Sequence, residues 1–173
     1  VKVPADYYKT LLWLLLLCFS INSHAEPLVN PFTILLEHAQ KGNADAMFEV
    51  GKYYQTGEYT DQNWQECIYW YEKAIDANNT RAMLNLGRIL LTGADSEVKA
   101  DIPRGIQLIE QAANAGEAEA QFQLGQIFEQ GKVLGHDLPS AVRWYRAAEL
   151  QKYPKAREAL RRSIQEFKTR GTN

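Results

Sequence analysis

From residue 44 onward the apolar positions of this chain follow a pattern that returns three times. Ala46, Phe48, Val50, Tyr53 and Tyr54 surround Gly51; Ala82, Leu84, Leu86, Ile89 and Leu90 surround Gly87; Ala120, Phe122, Leu124, Ile127 and Phe128 surround Gly125. Successive units are offset by 36 and 38 residues. Placed on a wheel at the helical step of about 100° per residue, these positions cover most of the circumference. Only three positions around each central glycine are polar in every unit: Glu49, Lys52 and Thr56; Asn85, Arg88 and Thr92; Gln123, Gln126 and Gln130. They fall within a wedge of about 60°. A surface amphipathic helix carries a broader polar half, so each of these helices is expected to be packed on several sides.

A second glycine follows each central one by six residues, at Gly57, Gly93 and Gly131. After a loop come Cys67…Trp70-Tyr71…Ala74, Gly105…Leu108-Ile109…Ala112 and Ala141…Trp144-Tyr145…Ala148, each reading as a second helix. Asn63, Asp101 and Asp137 lie four residues before the small residue and are good N-cap types. Pro103 and Pro139 sit in the first turn, where a missing N–H costs little. Glu66 stands at capping-box spacing from Asn63. The middle unit is two residues longer between its second glycine and its cap, so its loop is expected to absorb the insertion. The central glycines would let helices approach closely, and Trp70, Tyr71, Trp144 and Tyr145 are the expected large knobs between hairpins.

The pattern predicts an all-α stack of helix hairpins with units at about 44–79, 80–117 and 118–153. Residues 32–41 match the end of a second helix and open the array; residues 154–169 form a more charged closing helix. The basic residues there, Arg157, Arg161, Arg162, Lys168 and Arg170, alternate with Glu158 and Glu166 and read as a solvated cap face.

The succession A-x-F/L-x-V/L-G-x-x-Y/L/F-x-x-G, a loop, then D/N-x-x-x-A-x-x-W-Y-x-x-A resembles the Sel1-like repeat, a relative of the tetratricopeptide repeats. The likeness extends over about residues 32–164. Departures are Cys67 and Gly105 at the usual Ala, and Leu108-Ile109 for Trp-Tyr. The resemblance implies a right-handed superhelix of antiparallel α-hairpins that serves as an adaptor in signalling, secretion or envelope assembly. It also implies an alternative: some exported, cysteine-rich relatives are associated with β-lactam-like cell-wall compounds, which would make the chain a periplasmic enzyme or ligand-binder. The cysteine pairs of those relatives and a Ser-x-x-Lys element are missing here.

The first 25 residues have a different character. Lys2 and Lys9 precede the apolar run Leu11–Phe19, and Ser23-His24-Ala25 places small residues for a cut after Ala25. Together they read as a secretory signal peptide, too short in its apolar run to span a bilayer. The expected product is an exported, periplasmic or secreted protein with no stable membrane span after cleavage. Cleavage would leave Cys67 as the one thiol, at a small-residue position that predicts burial.

A net charge of −2 from 19 basic and 21 acidic residues gives no reason to expect a nucleic-acid partner. His38 and His136 are 98 residues apart, and no metal, nucleotide or nucleophile motif accompanies them. Neither catalytic residues, metal nor cofactor is expected. The expected function is capture of a protein or peptide on a concave helical surface lined by Glu49, Lys52, Asn85, Arg88, Gln123 and Gln126.

Overall fold

The computed structural model describes residues 30–94 and 97–170. The expected signal segment, residues 1–25, lies outside them. The described residues form eight helices: α1 Pro31–Gln40, α2 Ala44–Thr56, α3 Trp64–Asp76, α4 Thr80–Thr92, α5 Ile102–Asn114, α6 Ala118–Gln130, α7 Leu138–Leu150 and α8 Ala156–Arg170. Each packs on the next in chain order, which makes the fold an all-α helical solenoid. No helix among the described residues is long and apolar enough to cross a membrane. The closing helix starts at Ala156, two residues past the expected 154.

All six helices from α2 to α7 are 13 residues long. The extra length of the middle unit sits in its loop, 93–101, where Ala94 and Val98 form an isolated antiparallel bridge. Asn63, Asp101 and Asp137 cap α3, α5 and α7, each accepting the N–H three residues on. Their own N–H groups donate to the carbonyls of Tyr54, Leu90 and Phe128 near the ends of the preceding helices. The expected capping box at Glu66 is therefore only half made, since the Asn63 N–H is already taken by Tyr54.

The first helices have caps of their own. Asn43 and Asn79 accept from the N–H of Ala46 and Ala82. At the third equivalent place Glu117 makes no cap bond and instead accepts from the Thr80 hydroxyl at the start of α4, at 2.9 Å.

The core lies between the two helix layers. Cys67, Tyr71, Ala74, Leu86, Ile109, Leu124, Ala141 and Tyr145 are buried to 1% exposure or less. Trp70 is buried as expected, whereas Trp144 is half-buried, with the Arg143 guanidinium over its ring. The central glycines work in two ways. A Cβ on Gly51 or Gly125 would come within 2.7 Å of the Tyr71 or Tyr145 ring, so these glycines seat an aromatic of the hairpin mate. In the middle unit a Cβ on Gly87 would lie 2.9 Å from the Gly105 carbonyl, and one on Gly105 2.8 Å from the Gly87 carbonyl. There the backbones themselves approach, as expected, and Gly87 also seats the Ile109 side chain, whose Cγ1 a Cβ would meet at 2.8 Å.

Candidate interaction surface

The six expected partner-binding residues all lie on the first helices, Glu49 and Lys52 on α2, Asn85 and Arg88 on α4, Gln123 and Gln126 on α6. Their surroundings differ sharply from unit to unit. On α2, Lys52 pairs with Glu49 at 3.3 Å, and Arg81 of the next unit reaches Asp45 at 2.8 Å and Glu49 at 3.5 Å. The same guanidinium lies 4.4 Å over the Phe48 ring. Asn85 donates to the Tyr71 hydroxyl at 3.3 Å, so its amide is engaged with the core. These residues tie the first unit to the second.

On α6 the picture reverses. Gln123 and Gln126 are half-buried and have no hydrogen-bond partner among the described residues. Together with Arg88, Glu119, Phe122, Tyr153 and Lys155 they line a cavity of about 340 Å³. Both glutamines also line a second cavity of about 210 Å³ with Leu91, Ile127, Gln130, Lys132 and Val133. The two cavities thus meet along α6 and form one groove bordered by α4. Phe122 and Tyr153, with ring centroids 5.1 Å apart, give it an aromatic floor. Burial, with the nearby Glu119 carboxylate, pushes the Tyr153 phenol above its ordinary value.

Arg88 and Glu119 neutralise each other at 2.9 Å on the rim. Lys155 and Lys132, one in each cavity, make no ion pair among the described residues. The groove therefore takes in Arg88, Gln123 and Gln126 of the expected set and leaves out Glu49, Lys52 and Asn85. Tyr153, Lys155, Phe122 and Lys132 are additions. Lys155 had a readable signal: Asp45, Arg81, Glu119 and Lys155 occupy one repeat position and alternate in sign.

At the other edge, α8 closes the stack through Glu129. Its carboxylate accepts from Tyr145 and Ser163, both at 2.8 Å, and from Arg162 at 2.8 Å. Burial raises the Glu129 carboxyl, but the three hydrogen-bond donors outweigh it and hold the group below the usual carboxylate range. Cys67 is wholly buried, and burial pushes its thiol up to about 12. Among the described residues no group of three or more His, Cys, Asp or Glu is placed to hold a metal ion.

A family profile described as the Sel1 repeat matches residues 44–79, 80–117 and 118–153. Among curated proteins, the chain is 30% identical over 116 residues to the chitin synthase regulator SKT5 of Saccharomyces cerevisiae, covering 66% of this chain and 17% of that protein. It is 39% identical over 64 residues to the ERAD-associated E3 ubiquitin-protein ligase component HRD3A of Arabidopsis thaliana, covering 36% of this chain and 9% of the other. The chain thus spans less than a fifth of the length of either relative. Among solved structures, a Sel1 repeat protein from Oxalobacter formigenes superposes with a TM-score of 0.67 at 31% identity, over 77% of this chain and 98% of that one.

Proposed function

The chain belongs to the Sel1-repeat family, and from that premise we propose that it is an interaction module that holds a protein or peptide partner in the groove along α6. The observation that carries this reading is the pair Gln123 and Gln126: two neighbouring amides with no partner of their own, set above an aromatic floor. A primary amide donates and accepts, so it matches the N–H and C=O groups of a peptide backbone. Phe122 and Tyr153 supply apolar contact area beside those amides, the combination that interaction hot spots use. The regulatory and ligase-component relatives support an adaptor role, without catalysis by this chain. We further propose that it acts after export, on the strength of the leader-like residues 1–25.

The test is partner capture by the full chain carrying Arg88→Ala, Gln123→Ala and Gln126→Ala together. All three side chains are on the surface and only the exposed Arg88–Glu119 pair is lost, so the melting temperature should move little. Capture should fall while the fold persists. Unchanged capture, or turnover of muropeptides by the purified chain, would contradict the proposal.

A further inference from the structure

We infer that the segment held in the groove is extended and acidic, with its carboxylates meeting Lys155 and Lys132 and its backbone meeting Gln123 and Gln126. This rests on the groove being the binding surface, as proposed above, and adds the chemical class of what it binds.

Charge complementarity is the argument. The whole chain is net negative, yet the two joined cavities hold three cations, Arg88, Lys132 and Lys155, against one carboxylate, Glu119. Arg88 spends its charge on Glu119. What remains is a lysine in each cavity with no anionic partner among the described residues. On α2 and α4 the other cations are paired: Lys52 with Glu49, and Arg81 with Asp45 and Glu49. The groove thus sets two unpaired lysines beside two unpartnered amides.

Dimensions favour a strand over a helix. Between Glu119 and Gln130, α6 rises about 16 Å, the length of about five extended residues. Gln123 and Gln126, three apart on one helix, lie on neighbouring turns of the same face. Two amides so placed can each engage a backbone peptide group of an extended chain, whose peptide groups point outward. A helical ligand would keep those groups to itself and leave both glutamines unsatisfied.

The test is selection of random twelve-residue peptides displayed on phage against the full chain at low salt, followed by affinity measurement on three proteins. These are the wild type, the Lys132→Glu, Lys155→Glu double variant, and the Arg88→Ala, Gln123→Ala, Gln126→Ala triple variant. Both lysines are exposed, so the double variant should fold, which its melting temperature checks. The expected result is a wild-type pool rich in Asp and Glu, whose peptides bind the double variant about tenfold more weakly. Binding should also weaken as salt rises. Peptides that lose affinity for the triple variant, carry no acidic excess and bind the double variant unchanged would overturn the acidic class and leave the groove standing. Peptides indifferent to both variants, or no enrichment, would overturn both.

Discussion

Four residues at one place in the repeat, Gly42, Asn78, Gly116 and Lys152, hold left-handed backbone, with φ of 94°, 60°, 94° and 62°. Each follows the end of a helix, and each sends its N–H back to a carbonyl of the last turn while the next residue reaches one carbonyl further back. That is the paired closure that favours glycine. Lys152 carries a Cβ into this region at a steric cost, and its side chain has no compensating contact in the turn. Lys152→Gly is therefore expected to stabilise the chain by about 0.5–1 kcal/mol in urea unfolding. Gly125→Ala should do the opposite. Alanine is the better helix former by about 1 kcal/mol, but its Cβ would press 2.7 Å from the buried Tyr145 ring. Overpacking of that kind costs about 1–3 kcal/mol, so net destabilisation is expected in the same measurement. Cys67 belongs to this scale too: with its thiol raised to about 12 by burial, it should resist iodoacetamide at pH 8 until the protein is unfolded.

At the scale of elements, one substitution pattern explains how the middle hairpin departs from its neighbours. The Tyr71 hydroxyl donates to Gln55 at 2.7 Å and the Tyr145 hydroxyl to Glu129 at 2.8 Å, across equivalent positions. In the middle unit both members change together, to Ile109 and Leu91, and the hydrogen bond gives way to backbone approach at Gly87 and Gly105. The helices, the caps of the second helices and the loop that takes the insertion were legible in the sequence because each rests on local chemistry, whereas the first-helix caps Asn43 and Asn79 were not read from it. The back-bond from each cap N–H to Tyr54, Leu90 or Phe128 was not, since it depends on how two helices meet. The docking of α8 through Glu129 was equally hidden, because Arg162 and Ser163 come from the helix that least obeys the repeat. It carries a pH signature. A carboxyl lowered in the folded state stabilises above its unfolded value of about 4.3 and loses that contribution as pH falls through the folded value. Thermal melts between pH 7 and pH 3 should show a stability loss on the acid side that Glu129→Gln flattens, at the cost of lower stability near pH 7.

Across the whole molecule, polar contacts join the units alongside the core. Arg81 to Asp45, Arg104 to Glu72, Arg88 to Glu119 and Arg162 to Glu129 each cross from one unit to another. Such contacts divide the six residues expected from the sequence by what surrounds them. A polar wedge repeated on three helices shows which face is wet, and nothing in its periodicity tells a residue that binds a neighbour from one left open. Glu49 and Lys52 are spent on the junction with Arg81, Asn85 on Tyr71, whereas Gln123 and Gln126 remain available. Reversing the junction charge with Arg81→Glu should therefore lower stability, by up to about 1 kcal/mol for exposed pairs, without touching partner capture. The account stands on the α6 groove being the occupied surface. Site-specific photocrosslinking in cells tests that most directly, with the photoreactive residue placed at Gln126 in the groove or at Gln107 on the exposed side of α5. The account predicts a discrete crosslinked partner from position 126 that is absent from position 107. The same partner from 107, with none from 126, would contradict it.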